Sequence, residues 1–320
     1  MKANKLFTLI AALACVCACA LARAASEDAI TLATATGKIE GTLSMPAAAK
    51  GAVPVVLIIA GSGPTDRDGN SRGMPGANNS LRMLAQALGD AGYAAVRYDK
   101  RGIGASLPAS PPESGLRFEM YVDDAAGWIE MLKHDARFSS VAVIGHSEGS
   151  LIGMAAAQKA RVGAFVSLAG ISSSLGQVLR QQLAGKLTEA QATENERILQ
   201  SLEHGQLAAS VPPEFASLYR PSVQPYLISV FKYSAAQQIA RLDVPVLIAQ
   251  GDTDIQVSVA EAQGLKKAKP DAALVIIPGM NHVLKIDPTR GVASYSDPSL
   301  PIAPALMKAV IGFLRGARPR

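Results

Sequence analysis

A serine between two glycines carries the clearest chemical signal in the sequence. It stands in the run Gly145-His146-Ser147-Glu148-Gly149. A strand-like apolar stretch precedes this run and helix-forming residues follow it, the context in which Gly-x-Ser-x-Gly forms a sharp strand-to-helix turn. Such a turn strains the serine backbone, and only glycine on either side leaves room for it. The spacing therefore predicts that Ser147 is a nucleophile beside a helix N-terminus, whose unpaired amides favour an oxyanion.

A serine nucleophile needs a base, and the chain offers four histidines. His134 ends an amphipathic helical segment and His204 lies in a helical insertion, so both are expected to be solvated or structural. His146 adjoins the serine and cannot fold its ring back onto it, so packing is its expected role. His282 remains, on a loop at the end where the strands finish and where open α/β sheets bind ligands. We therefore predict that His282 is the base.

The acid that orients this base is expected on the loop after the preceding strand. That loop contains Asp252 and Asp254. Asp254 is favoured because it lies further out on the loop, whereas Asp252, beside Gly251, is suited to hydrogen bonding within the turn.

An oxyanion hole requires a second donor besides the backbone N–H of Glu148. The loop 60–64, which follows the first long core strand, is rich in glycine and permits close approach to a substrate. Ser62 is the predicted donor, and Gly63 is the alternative.

Alternating strand-like and helical segments supply the framework for these residues. Two upstream runs, 30–35 and 38–44, flank Thr36-Gly37 and predict an antiparallel edge hairpin. The later strand-like runs are nearly continuous in Val, Ile, Leu and Ala, which predicts a mostly parallel sheet with helices on both faces. These runs are 53–60, 94–98, 141–144, 164–168, 244–249 and 273–277, and the helical segments are 80–91, 120–134, 151–159 and 304–315.

One long stretch without strong strands interrupts this rhythm. Residues 172–238 contain helical segments at 175–187 and 189–202 and a proline-punctuated region. Because ordinary connections in such folds take only a few residues, this stretch is predicted to be an inserted helical cap. The predicted organisation is a signal peptide (1–24), a core in two parts (25–171 and 239–320), and the cap (172–238).

The N-terminal segment predicts export. Lys2 and Lys5 precede an apolar run, and Ala22-Arg23-Ala24 fits a signal-peptidase site. The apolar run is shorter than the roughly 20 residues of a transmembrane anchor, and Val16-Cys17-Ala18-Cys19 resembles a lipoprotein signal only loosely. We therefore expect a periplasmic or extracellular protein without a stable membrane span, with lipoprotein anchoring as the lesser alternative. All three cysteines lie in this segment, so the mature chain has no disulfide or thiolate chemistry.

Composition narrows the possible partners. The 320 residues are 49% hydrophobic and 18% charged, which is a globular profile. Three of the basic residues and no acidic residue lie in the first 24, so the net charge falls from +5 to +2 beyond them, and no nucleic-acid partner is expected. The run Asp66–Asn70 imitates a calcium loop, but Ala77 occupies the position where an EF-hand needs glutamate, so no metal is expected.

The sequence resembles an α/β-hydrolase of the broad group that includes bacterial serine esterases and serine aminopeptidase-like (S33) hydrolases. The resemblance rests on segments that span the mature chain apart from the cap, and 220–229 within the cap is similar to esterase-like members. It implies the Ser147, Asp254 and His282 triad, in the chain order of that fold, and no cofactor. The usual His-Gly pair before the oxyanion loop is Ala60-Gly61 here. The matching segments are 61–70, 97–106, 145–149, 251–254 and 279–282.

The resulting hypothesis is a serine hydrolase of the carboxylesterase type that acts on small-molecule esters, with short acyl chains favoured, through an acyl-enzyme. A peptidase or amidase is the alternative, in which Glu148, Asp66 or Asp68 would anchor a substrate amine. A catalytically silent binding protein is disfavoured because serine, acid, histidine and both glycines are retained. Glu148 could otherwise face the pocket rim or form a salt bridge, and Arg101 is expected to be structural, with an anion clamp as the lesser alternative.

Overall fold

A single sheet of eight strands lies at the centre of the chain in the computed structural model, which describes residues 26–47 and 49–317. The predicted signal peptide and its three cysteines lie outside the described residues. The strands follow each other across the sheet in the order β1-β2-β4-β3-β5-β6-β7-β8. Their bounds are β1 Ser26–Thr34, β2 Gly37–Met45, β3 Val53–Ile59, β4 Ala94–Tyr98, β5 Phe138–His146, β6 Ala164–Leu168, β7 Val246–Gly251 and β8 Ala273–Ile277.

The sheet is parallel except at the edge formed by the first two strands. β1 pairs with β2 and β2 with β4 in antiparallel register, whereas every pairing from β4 to β8 is parallel. The predicted edge hairpin and the mostly parallel sheet are therefore confirmed. Because parallel strands end at the same edge, the loops after β3, β5, β7 and β8 meet there.

Helices cover both faces of the sheet. The first six are α1 Ser80–Asp90, α2 Phe118–Lys133, α3 Glu148–Lys159, α4 Leu175–Leu183, α5 Glu189–Glu203 and α6 Ala216–Tyr219. The others are α7 Gln224–Phe231, α8 Ala235–Ala240, α9 Val259–Ala268 and α10 Pro304–Gly316. Short 3-10 turns occupy Gly104–Ala109, Glu113–Gly115, Pro213–Phe215 and Ala293–Ser296. In the described residues no helix combines the length and apolar character needed to cross a bilayer.

Two apolar layers form the core, one on each face of the sheet. On one face α2, α3, α8 and α9 pack through residues such as Trp128 and Ile152. On the other face α1 and α10 pack through residues such as Leu84 and Val310. Apolar side chains therefore cover both faces of the central strands, which explains why their sequences are continuous rather than alternating.

The chain between β6 and β7 contains only helical elements, α4 to α8. These helices enclose an apolar cluster of their own that includes Ile198, Leu202 and Tyr219. Ser174 and Thr188 begin α4 and α5 with reciprocal capping boxes, which define these two helix starts. The limits 172–238 of the cap remain a prediction.

Candidate active site

The turn at Ser147 has the strained geometry expected from its flanking glycines. Ser147 has φ 54° and ψ −121°, a backbone conformation that costs a non-glycine residue free energy. A Cβ on Gly145 would lie 2.3 Å from the carbonyl oxygen of Gly149, and one on Gly149 would lie 2.2 Å from the carbonyl oxygen of Ile59. Both glycines are therefore required for α3 to start directly against the end of β3.

His282 and Asp254 meet on the loops after β8 and β7. His282 Nδ1 lies 2.8 Å from Asp254 Oδ2, and both side chains are buried. The same carboxylate accepts hydrogen bonds from the amides of Gln256 and Val257 at 2.7 and 2.9 Å, and from Gln250 Nε2 at 3.0 Å. Burial acts to raise the pKa of Asp254, but His282 and these amides outweigh it, so the pKa lies below its usual value.

Asp252, the other acid of this loop, points elsewhere. It is exposed, and its Oδ1 accepts a hydrogen bond from the amide of Gly279 at 2.6 Å. Asp252 therefore holds the turn that precedes His282, while Asp254 is the carboxylate that contacts the imidazole.

The remaining histidines separate clearly by environment. His134 and His204 are exposed at the ends of α2 and α5, where each Nδ1 lies 2.7 Å from a helix carbonyl. His146 is buried, with its ring centroid 4.9 Å from that of His282 and its Nε2 2.8 Å from the His282 carbonyl oxygen. Burial, and then the charge of His282, lower the pKa of His146 to about 4. Its ring is therefore neutral near pH 7, and Nε2 donates because a carbonyl only accepts.

The loop after β3 lies directly against Ser147. A Cβ on Gly61 would lie 3.2 Å from Ser147 Cβ and 3.3 Å from His146 Nδ1. The Ser147 amide donates to the Leu168 carbonyl at 2.8 Å, whereas its hydroxyl has no hydrogen-bond partner within the described ranges. The structure thus joins His282 to Asp254 by a side-chain hydrogen bond, and connects the Ser147 segment to His282 through His146.

Two amides on this loop fit the second oxyanion donor. Ser62 and Gly63 are both exposed, and neither amide donates a hydrogen bond in the part of the chain that the structure describes. The Ser62 carbonyl accepts from Thr65 Oγ1 at 2.9 Å. Glu148, the residue with the other candidate amide, begins α3, where the first amides of a helix have no partner within the helix. Ser62 and Gly63 therefore both remain candidates.

Comparisons with known proteins agree with this architecture. A family model described as "Serine aminopeptidase, S33" matches residues 73–226, which include Ser147 but end before Asp254 and His282. Esterase EstD of Thermotoga maritima is 25% identical over 249 residues. That alignment covers 77% of this chain and 58% of EstD, so the chain spans about 58% of the length of this curated relative.

Solved structures share the fold over most of the chain. Est1E from Butyrivibrio proteoclasticus has a TM-score of 0.60 at 19% identity, covering 90% of this chain and 98% of its own. The chain has the α/β-hydrolase fold. In sequence it is similar to serine esterases and S33-like serine hydrolases. A puromycin-hydrolyzing peptidase of Mycobacterium tuberculosis has the same fold, with a TM-score of 0.59 at 18% identity, covering 93% of this chain and 40% of its own.

In this α/β-hydrolase fold a buried lysine, which no sequence motif singled out, joins two parts of the site. Lys100 follows β4 and is 1% exposed. Its Nζ donates to the Gly61 carbonyl at 2.5 Å and lies 3.0 Å from Glu148 Oε2. The ammonium also lies 5.1 Å from the centroid of the Tyr121 ring. The only signal in the sequence that could have identified Lys100 is its position shortly after a core strand.

The helices between β6 and β7 reach the same network through Tyr226. This residue of α7 donates its hydroxyl to Glu148 Oε1 at 2.6 Å. Burial, and then the nearby Glu148 carboxylate, raise the pKa of Tyr226 well above its usual value, so the phenol stays protonated. Of the two roles considered for the Glu148 side chain, the structure has the salt bridge.

Other charged residues that follow the core strands are engaged in ion pairs or in hydrogen bonds with the backbone. Arg101 pairs with buried Asp124, with Nε to Oδ2 at 3.0 Å, so it does not serve as an anion clamp. Asp68 pairs with Arg97 at 2.7 Å, and Asp66 Oδ1 accepts two backbone amides of its own turn at 2.9 Å. Within the described ranges no group of three or more His, Cys, Asp or Glu side chains could hold a metal ion.

Proposed function

We propose that this hydrolase cleaves carboxylic esters through Ser147, His282 and Asp254. The observation that carries the proposal is the buried 2.8 Å contact between His282 Nδ1 and Asp254 Oδ2. His146 links the His282 loop to Ser147, which lies in a strained strand-to-helix turn. A carboxylate on Nδ1 holds the proton there and leaves Nε2 free to act as a base. The low pKa of Asp254 keeps that carboxylate ionised throughout the neutral range.

The proposed reaction has two acyl-transfer steps. Ser147 Oγ attacks the ester carbonyl while His282 Nε2 takes its proton, and Asp254 stabilises the imidazolium that forms. The amides of Glu148 and Ser62 bind the oxyanion, and the alcohol leaves with the proton from His282. Water, activated by the same imidazole, then hydrolyses the acyl-enzyme.

Short acyl chains are the proposed substrates because the cap lies close to the nucleophile. Tyr226 of α7 contacts the side chain of Glu148, the residue that follows Ser147. A cap helix this close to the elbow supports a confined acyl site rather than an open groove.

A peptidase or amidase is the second candidate, favoured by the family description of the matching region. Aminopeptidase action needs a carboxylate that can bind the substrate amine. The three carboxylates considered for that role in the sequence are already engaged: Glu148 with Lys100 and Tyr226, Asp68 with Arg97, and Asp66 with backbone amides. These contacts support the ester hypothesis over the amide one.

The test is hydrolysis of p-nitrophenyl esters from acetate to palmitate, in parallel with aminoacyl p-nitroanilides. Ser147→Ala is the matched control, and a fluorophosphonate probe reports whether the serine is activated. We expect turnover that is highest for short acyl chains and absent in the variant. Labelling of Ser147 without turnover of any ester, together with anilide cleavage, would establish the peptidase instead. If Ser147 is not labelled and no substrate is turned over, the result would favour a silent binding protein.

Export to the periplasm or the exterior is part of the proposal. It is supported by the residues of 1–24, with a positive start, an apolar run and a cleavage site before Ala25. N-terminal sequencing of the protein recovered from the periplasm should begin at Ala25. A lipidated cysteine at the N-terminus would favour an anchored lipoprotein, and an intact Met1 would contradict export with processing.

A further inference from the structure

We propose that Lys100 is a positioning residue that sets the geometry of the oxyanion hole from behind the loop. This inference rests on the proposed ester hydrolysis and adds a role for a side chain that touches neither substrate nor reacting atoms. The juxtaposition that carries it is one buried ammonium bound both to the Gly61 carbonyl and to the Glu148 carboxylate. Each of these partners belongs to a segment that supplies one of the two oxyanion donors.

The contact with Gly61 determines which way the Ser62 amide faces. In a trans peptide the carbonyl of one residue and the N–H of the next point in opposite directions from the same rigid plane. The described residues contain no cis peptide bond. Because Lys100 Nζ holds the Gly61 carbonyl at 2.5 Å, the Ser62 N–H must point away from Lys100. That amide is free of other hydrogen bonds in the described ranges, so Lys100 is what fixes its plane.

The contact with Glu148 reaches the other donor. Glu148 is the first residue of α3, and its own backbone N–H is the elbow donor. Its side chain spans from Lys100, at 3.0 Å, to Tyr226, at 2.6 Å. Lys100 thereby ties the loop after β3 to the start of α3, so the two donors are held relative to each other.

Lysine suits this place because its ammonium has three donors in different directions. One serves a carbonyl and one a carboxylate, and the charge also lies over the face of Tyr121. A buried ion pair is weak evidence for added stability, because removing both charges from water offsets most of their attraction. Preorganised donors, by contrast, contribute directly to the rate because they need no rearrangement as the oxyanion forms.

The test replaces both members of the ion pair. Lys100→Met together with Glu148→Gln removes the ammonium, conserves the net charge and leaves an acceptor for Tyr226. We expect kcat for p-nitrophenyl acetate to fall by about 10- to 100-fold, with KM within about twofold of the wild-type value. This loss in kcat is no larger than that caused by removal of one oxyanion donor. Because net charge is conserved, the acid limb of the pH–rate profile should stay in place. A folding defect would instead change kcat, KM and thermal unfolding together.

A second readout isolates the oxyanion itself. A trifluoromethyl ketone adds to the serine to give an oxyanion, whereas the corresponding methyl carbinol binds as a neutral ground-state ligand. The Ki of the ketone should rise in parallel with the loss of kcat/KM, while that of the carbinol stays unchanged. The matched control is Arg101→Met with Asp124→Asn, which neutralises a buried ion pair of the neighbouring residue that does not reach Gly61. It should keep wild-type kcat.

Two results would overturn the proposal. One is a folded Lys100→Met, Glu148→Gln enzyme with wild-type kcat, or with a loss no larger than that of the Arg101 control. The other comes from Ser62→Pro, which deletes the amide itself on an exposed residue and tests the inference even where Lys100 variants do not fold. Wild-type turnover by Ser62→Pro would show that Lys100 has no donor there to position. If the wild-type protein hydrolyses no ester, the proposed function is wrong. If the wild-type protein is active and these variants are unaffected, only the proposed role of Lys100 is wrong.

Discussion

The imidazole of His146 donates from Nε2 to the main-chain carbonyl of His282, over 2.8 Å. His146, which precedes Ser147, thus holds the loop that carries His282. His282 is fixed on both sides, because its own Nδ1 contacts Asp254 at 2.8 Å. His146, for which the sequence predicted only packing, therefore connects the turn at Ser147 to the loop of His282 by a hydrogen bond.

This buried histidine predicts a specific loss of stability in acid. Burial, and then the charge of His282, lower the pKa of His146 to about 4, against a usual value of 6.5. In the unfolded chain the His146 imidazole is protonated below about pH 6.5, whereas in the folded chain it is protonated only below about pH 4. The contribution of His146 to the free energy of unfolding is therefore complete above about pH 6.5. It is lost as the pH falls from about 6.5 to about 4, by about 3 kcal/mol in all.

The comparison with His146→Gln isolates this effect. Glutamine can still donate to the His282 carbonyl but does not titrate, so the variant should lose less stability between pH 7 and pH 4.5. Urea unfolding at several pH values measures the difference. His134→Gln, at an exposed helix end, is the control and should keep the wild-type pH dependence. Equal slopes for wild type and His146→Gln would contradict the prediction.

The two aspartates of the loop after β7 predict opposite results for the same substitution. Asp254→Asn should lower kcat by about 10³- to 10⁴-fold with little change in KM, because the amide no longer holds the Nδ1 proton of His282. Asp252→Asn keeps an oxygen that can accept from the Gly279 amide, so kcat should stay within about threefold. Steady-state kinetics of both variants decide the matter. A larger loss for Asp252→Asn would reverse the assignment of the acid.

Much of the fold could be predicted because its signals are local. The bounds of β4, β6 and β8 coincide with the apolar runs 94–98, 164–168 and 273–277. The glycines around Ser147 could likewise be interpreted locally, because a strained turn excludes a Cβ on either side. Helix α9, Val259–Ala268, was missing from the sequence prediction because its apolar face is narrow.

The second layer of the site could not be predicted, because it depends on contacts between distant segments. Lys100 stands after β4 as an ordinary charged residue, and only the strand order brings it against Gly61 and Glu148. Tyr226 comes from the inserted helices, whose packing no local pattern specifies. The Glu148 side chain therefore had two open roles until its partners were known.

The close packing of α3 against β3 predicts a large effect for a single methyl group. Gly149→Ala would place Cβ 2.2 Å from the Ile59 carbonyl oxygen and 2.7 Å from that of Ala60, so the helix start must move away. We expect a loss of about 3 kcal/mol or more in stability, together with loss of activity. Gly312→Ala is the matched control at an exposed position of α10, where nothing lies within 4 Å of the new Cβ. It should stabilise by about 0.5–1 kcal/mol, and equal effects would contradict the packing.

The backbone strain at Ser147 predicts that this residue, the proposed nucleophile, lowers the stability of the fold. Ser147 has φ 54° and ψ −121°, where a non-glycine residue costs about 1–3 kcal/mol. Ser147→Ala keeps a Cβ and hence the strain, whereas Ser147→Gly relieves the strain. Glycine also increases the conformational entropy of the unfolded chain, which offsets up to about 1 kcal/mol of that gain in stability. The glycine variant should therefore unfold at higher urea, with about 1 kcal/mol more stability than the alanine variant. Both should lose esterase activity by at least about 10⁴-fold, because neither has a nucleophile. Equal or reversed stability would mean that the elbow is unstrained and that its geometry is not maintained at the expense of stability.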